Sequence, residues 1–352
     1  MIYVVCILSV LLLSYIADRK QKYICLFLSA LILSLFCGLR GIGTGVDTGH
    51  YFNFMSYIRG SGISYGSDIG FSLLSYLMMG VFNNPYYPLV VFAFITNYLI
   101  VYRLWDFRNE ASFVLMMLVY MTWQYSYGFN IVRQFMAIAI VFWGTRYIER
   151  GNYIKYIVFN ILAATIHTSA LLCFSFLFVT FGYKAKKKKY KIIAFGAALL
   201  IVLIGMGMFR NNIIKYEGYF SNANNAIHGM TIFKICCAVM VAFSNRIFSN
   251  DSLSISKQGK YIPMQRQIPV MYMVGLLLSS LGMWFTFLNR IGFYFMVFEM
   301  PFWGQVVRAK KNKVIYWFLI LFIVGYKLLT TLITGDNADN LFYYHSFLNQ
   351  HY

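Results

Sequence analysis

Apolar residues run along the chain in blocks close to the ~20 residues that a helix needs to cross a hydrocarbon layer, and short polar connectors separate them. In lipid such blocks must be helical, because backbone groups have no water to pair with there. The pattern predicts crossings over residues 2–17, 23–39, 86–105, 112–125, 129–148, 191–208, 231–248, 268–285, 291–307 and 314–332. Residues 52–58 are rich in aromatics and predict an interfacial helix. Residues 69–82 are apolar but short of a crossing, and predict a re-entrant or surface-lying outer segment.

The stretch 153–181 is too long for one crossing and too short for two full ones. Lysines stand at both of its ends, Lys155 and the cluster from Lys184 to Lys191. A broken hairpin over 153–182 that turns at Ile166-His167-Thr168-Ser169 keeps both basic ends on the same side. The sum is an all-α, polytopic integral membrane protein of about twelve transmembrane helices. It reads as a single domain over 1–352, with an outer functional loop at 40–84, outer loops at 166–169 and 209–230, and an outer tail at 335–352.

Composition agrees: 60% of the residues are hydrophobic, 20% aromatic and only 12% charged, where a soluble domain has roughly 25% charged. The net charge of +19 does not point to nucleic acid. Most of the 30 lysines and arginines lie in the connectors assigned to the inner side, as the positive-inside rule requires. All six cysteines (Cys6, Cys25, Cys37, Cys173, Cys236, Cys237) lie in apolar blocks without metal-ligand spacing and read as core residues. The N-terminus has neither a basic leader nor a small-residue cleavage site, and reads as a first crossing.

Candidate chemistry gathers on the outer side. Arg40-Gly-Ile-Gly-Thr-Gly-Val-Asp47-Thr-Gly-His-Tyr51 places an arginine, an acid, a histidine and a tyrosine among four glycines at the mouth of an apolar block. This glycine-rich loop is expected to order when substrate binds. Arg133 and Arg290 stand near the outer ends of later blocks, where a charge usually has a purpose. Guanidinium forks match phosphate oxygens, so the three arginines suggest a phosphorylated lipid. No acid or histidine cluster resembles a metal site, which leaves pyrophosphate neutralisation to arginine, with no metal and no cofactor expected. Asp47 is one of few outer acids, with Asp68, Glu217, Asp336 and Asp339. Either Asp47 or His167 could take a proton from a sugar hydroxyl. The choice leans to His167, with Asp47 orienting arginine or the acceptor.

Several motifs recur together: Arg40 with Gly43-Thr44-Gly45-Val46-Asp47-Thr48-Gly49-His50-Tyr51, Phe129-Asn-Ile-Val-Arg133-Gln134-Phe-Met-Ala137, Ala164-Thr-Ile-His167-Thr-Ser-Ala170, Arg290-Ile-Gly-Phe-Tyr294-Phe, and the closing Tyr343-Tyr344-His345-Ser346. In that order they resemble the EpsG-like branch of Wzy-type polysaccharide repeat-unit polymerases over essentially the whole chain. Thr44-Gly45-Val46-Asp47 can be aligned on the family pattern two ways, with Gly43 or Gly45 as the matching glycine. The resemblance implies a bacterial inner-membrane glycosyltransferase with its active site facing the periplasm or outside. It would join undecaprenyl-pyrophosphate-linked oligosaccharides into O-antigen, capsule or exopolysaccharide. The family's characteristic positions fall on Arg40, Asp47, Tyr51, Arg133, His167 and Arg290. The expected site has His167, Asp47 and Arg133 for catalysis, with Arg40, Arg290, Tyr51, Gln134, Tyr294 and His345 on pyrophosphate or saccharide. Implied partners are the lipid-linked oligosaccharides, membrane lipids, a chain-length regulator and a flippase, with no nucleic acid.

Two other functions fit a polytopic chain. A lipid-linked saccharide flippase or exporter would show internal repeats and charges spread through the membrane depth; here no repeat is visible and the charges crowd one face. A membrane acyltransferase modifying polysaccharide would carry polar catalytic residues nearer the inner face.

Overall fold

A computed structural model describes residues 2–63, 68–213, 267–282 and 286–308, with single positions beyond, among them Tyr344 and Ser346. The expected crossings 231–248 and most of 314–332, the outer loop from 214 to 230, most of the tail and Cys236 and Cys237 lie outside the described residues. Every element of the described residues is helical, with no strand. Two described helices, Ile2–Lys20 and Tyr86–Asp106, are long and apolar enough to cross a membrane, and shorter apolar helices surround them. Large apolar side chains face outward along them, such as Leu12 at 61% exposure, Ile154 at 76% and Ile192 at 62%. A water-soluble surface rarely carries apolar side chains in such numbers. A lipid-facing surface does.

The described chain packs as two units: Met1–Trp143 with Ile161–Thr168 and Trp303–Tyr352, and Gly144–Asn160 with Ser169–Phe302. In the first unit, α1 (Ile2–Lys20) and α2 (Tyr23–Gly38) form an antiparallel pair. Two helices follow the glycine-rich loop, α3 (Thr48–Ser61) and α4 (Ile69–Val81). The 13 residues of α4 reach only about 20 Å, short of the ~30 Å hydrocarbon layer. The next helix, α5 (Tyr86–Asp106), packs on α2 so closely that a Cβ on Gly38 would meet Val90 Cα at 2.4 Å.

The expected crossing 112–125 is interrupted. It begins as α6 (Phe113–Val119), loosens into a π-helical turn over Tyr120–Gln124, and leads through the short α7 (Tyr127–Asn130) into α8 (Val132–Glu149). Buried hydrogen bonds within the first unit tie this stretch to neighbouring helices: the Tyr120 hydroxyl donates to Asn97 Oδ1 at 2.6 Å, and the Tyr125 hydroxyl donates to Leu33 O. A one-residue break at Ile131 then restarts the helix just before Arg133.

The segment that begins with α9 (Tyr153–Ile166) runs into a 3₁₀ stretch (Thr168–Phe174) and α10 (Ser175–Lys184). It doubles back on itself. In the second unit the Tyr156 hydroxyl donates to Cys173 O at 2.6 Å, and the Tyr153 and Phe181 rings meet edge to face at 5.2 Å. Three further helices of that unit follow: α11 (Lys188–Ile213), α12 (Ile268–Leu281) and α13 (Thr286–Met296). Glycines let α12 and α13 touch backbone to backbone, since a Cβ on Gly275 would meet Met296 N at 2.8 Å.

The expected crossing 291–307 is likewise split, into α13 and α14 (Glu299–Arg308). Pro301 stands in the first turn of α14. There its missing N–H has no partner to lose.

Candidate functional site

The glycine-rich loop is fastened by its own backbone geometry and hydrogen bonds. Gly45 takes φ +82°, and a Cβ there would meet Phe129 O at 2.8 Å, so this backbone position admits glycine alone. Gly43 has nothing within 4 Å of its Cβ position. Val46 N–H donates to Asn130 Oδ1 at 2.8 Å, and the Thr48 hydroxyl donates to Thr44 O at 2.6 Å. These ties fasten the loop to Asn130 and across its own turn.

Arg40 is its anchor. The side chain is only 1% exposed. Its Nε donates to Thr48 Oγ1 at 2.8 Å, Nη1 to Cys37 O at 2.6 Å, and Nη2 to Phe129 O at 3.1 Å. The guanidinium also lies 5.3 Å from the centre of the Phe129 ring. The C-terminal tail adds a strap: Ser346 bridges to Arg40 and donates its hydroxyl to Leu39 O at 3.1 Å, while Tyr344 stacks on Phe36 at 4.3 Å. His345, between them, lies outside the described residues.

Three ionisable side chains meet where α4 begins, α8 begins and α9 ends. Asp68 precedes α4 but makes no side-chain cap to its own helix. Its carboxylate is turned to neighbours instead. Oδ2 accepts from Arg133 Nη1 at 2.9 Å and lies 3.1 Å from His167 Nδ1. Oδ1 accepts from the Thr168 N–H at 3.1 Å and from the Thr168 hydroxyl at 3.3 Å. Asp68 is 10% exposed as a side chain, His167 22% and Arg133 44%, so the cluster opens through Arg133 and His167.

Sequence places these residues as neighbours only through packing. A Cβ on Gly70 would meet Thr165 Oγ1 at 2.3 Å and Thr165 O at 2.9 Å. Only a glycine lets α4 press its first turn against the last turn of α9, and that approach carries Asp68 to His167. Burial alone would push the Asp68 carboxyl up. The hydrogen bond and charge of His167, the Arg133 guanidinium and the Thr168 N–H outweigh it and hold the carboxyl below its usual value.

Tyr51 lies beneath the cluster on α3, 8% exposed, and its oxygen accepts the Arg133 backbone N–H at 3.5 Å. Burial pushes its phenol up, with Arg133 opposing, so Tyr51 presents a neutral hydroxyl rather than a base. The Phe71 ring centre lies 5.8 Å from the Arg133 guanidinium and completes the floor. Asp47 is half-buried at the start of α3 and makes no side-chain cap. Gln134 is buried beside Arg133 in the chain.

Arg290 and Tyr294 belong to the second unit, where Arg290 is exposed and the buried Tyr294 hydroxyl shares a 3.0 Å hydrogen bond with Ser169 Oγ. Asp68 was visible in the sequence only as one outer acid among five. The signal that singles it out is an acid before an apolar helix with glycine two residues later, a helix start able to approach another backbone. Among the described residues no three His, Cys, Asp or Glu side chains gather as a metal site would need.

No curated protein and no solved structure matched this chain. The model of one family, the EpsG family, matches residues 23–346. With nearly the whole chain inside that match, and with large apolar side chains exposed along its helices, this is a membrane protein of polysaccharide biosynthesis that belongs to the EpsG family.

Proposed function

We propose that the chain polymerises lipid-linked oligosaccharide repeat units at the outer face of the membrane, moving the growing chain from undecaprenyl pyrophosphate to a hydroxyl of the next unit. One observation carries the reading: in an EpsG-family chain, a half-exposed guanidinium and an imidazole share a single carboxylate oxygen, at 2.9 and 3.1 Å. A forked cation that binds phosphate oxygens beside a group that accepts a proton is the pair that this transfer needs.

In the proposed step His167 takes the proton of the acceptor hydroxyl. The hydroxyl oxygen bonds to the anomeric carbon of the growing chain as the bond from that carbon to the pyrophosphate oxygen breaks. The electron pair leaves with undecaprenyl pyrophosphate, whose charge Arg133 offsets. Asp47, on the adjoining loop, orients the acceptor. Arg40 acts by holding that loop, since its fork is committed to protein oxygens. Tyr51 supports the start of α8 rather than meeting sugar. Arg290 and His345 stay assigned to substrate contact, whereas Gln134 and Tyr294 are buried and are proposed to act through packing, as Tyr51 does. The proposed topology keeps about twelve crossings in the bacterial inner membrane with the site outward. A flippase and a chain-length regulator are the proposed protein partners.

The test is reconstitution. Purified chain in lipid vesicles, given a lipid-linked repeat unit, should yield a ladder of polymer on a gel. His167→Gln should abolish the ladder while lipid-linked substrate still binds. A normal rate in His167→Gln would remove the base assignment, and no ladder from the unaltered chain would remove the polymerase reading. Cysteines placed singly at Asp47, Arg133 and His167 should all react with a membrane-impermeant reagent from outside.

A further inference from the structure

We propose that Asp68 is a positioning residue: it holds His167 as the Nδ1–H tautomer, aims an unprotonated Nε2 at the acceptor hydroxyl, and indexes Arg133 to the same oxygen. The inference rests on the polymerase reading above and deepens it.

The carboxylate faces donors on every side that the structure describes. Arg133 Nη1, the Thr168 N–H and the Thr168 hydroxyl supply three of them, at 2.9, 3.1 and 3.3 Å. A carboxylate so surrounded is ionised and can only accept. The ring nitrogen 3.1 Å from Oδ2 must therefore carry a hydrogen. In a neutral imidazole that leaves Nε2 as the lone-pair nitrogen, and Nε2 makes no hydrogen bond with any described residue.

Asp68 does not reach substrate in this arrangement. It acts through its two neighbours. As Nε2 takes the acceptor proton, the ring becomes an imidazolium whose charge lies against the carboxylate, which stabilises the charged ring as it forms. Because Arg133 shares Oδ2 with the ring, the group that holds pyrophosphate and the group that takes the proton are set from one atom. The close approach at Gly70 makes that setting a property of packing rather than of a flexible side chain. Neutral histidine in water favours the opposite tautomer, with the hydrogen on Nε2, so the expected state is one that the free side chain would not choose.

Solid-state NMR on the ¹⁵N-histidine-labelled chain in lipid bilayers, at slightly alkaline pH and without substrate, reads the tautomer directly. His167→Gln identifies the His167 signals among the five histidines. The expected wild-type spectrum shows a protonated Nδ1 and an unprotonated Nε2. In Asp68→Ala the Nε2–H form should appear, and turnover of lipid-linked substrate should fall about a hundredfold, the share that a general base typically supplies. Wild-type His167 found as the Nε2–H form or doubly protonated would overturn the inference. So would an Asp68→Ala spectrum that keeps the Nδ1–H form alone. Should that variant fail to fold, the wild-type spectrum still decides. The spectrum needs no activity, so its failure is separate from a missing ladder, which would count against the polymerase reading itself.

Discussion

Gly70→Ala tests how the cluster is assembled. The added Cβ would sit 2.3 Å from Thr165 Oγ1, 2.7 Å from Thr165 Cβ and 2.9 Å from Thr165 O. Ordinary van der Waals contact starts near 3.4 Å, so the overlap is about 1 Å against the side chain and about half that against backbone. Rotating Thr165 relieves only the first contact. The carbonyl and Cβ stay in place, so α4 must withdraw from α9. Overpacking of this kind costs about 1–3 kcal/mol. A withdrawal of 0.5–1 Å, about the size of the overlaps, would lengthen the 3.1 Å spacing between Asp68 and His167 past hydrogen-bond range.

Gly80→Ala on the same helix is the control, because nothing lies within 4 Å of its Cβ position. There alanine should leave activity intact and raise stability by up to about 1 kcal/mol. Thermal melting in detergent and the polymer ladder in vesicles measure the two effects. Gly70→Ala should melt lower and lose at least about tenfold in rate, the equivalent of about 1.4 kcal/mol. Wild-type rate and melting in Gly70→Ala, or equal damage from Gly80→Ala, would refute the argument that this close approach builds the site.

Arg40→Ala should cut the yield of folded protein, because it leaves Cys37 O and Phe129 O without their buried donor, at about 1–3 kcal/mol each; Arg40→Lys should rescue little, and a well-folded Arg40→Ala would show the anchor to be dispensable. Arg133→Lys should fold normally yet lose nearly as much turnover as Arg133→Ala, since lysine keeps the charge without the fork; full turnover in the lysine variant would reduce Arg133 to a general positive charge. The Asp68 carboxyl is held below its unfolded value, so its contribution to stability is complete above that unfolded value and is lost as pH falls through the lowered native one. Melting curves against pH should therefore show a steeper acid loss in the wild type than in Asp68→Asn, and parallel curves would mean that the carboxylate is not held low.

The sequence by itself determined that this is an all-helical membrane protein. Block length, charge sparsity and connector lysines are local quantities, and lipid leaves a chain few ways to satisfy its backbone. Arg133 and His167 were legible as candidates for a related reason: a charge or an imidazole interrupting an apolar block is conspicuous along the chain. What they touch was not legible. Asp68 lies 65 residues from Arg133 and 99 from His167, and no spacing rule links residues that far apart.

Arg40 and Arg133 read alike in the sequence, each a lone cation at the end of an apolar block. Tertiary structure divided them. Arg40 falls where three protein oxygens converge and its fork is used up, whereas Arg133 shares one carboxylate and stays 44% exposed. Tyr51, a saccharide contact by its place in the motif, is instead packed under α8. The close approach that brings Asp68 to His167 depends on the absence of a single methyl group at Gly70. A glycine in the sequence says only that the backbone is unencumbered; which other backbone comes to fill the space is settled when the helices pack.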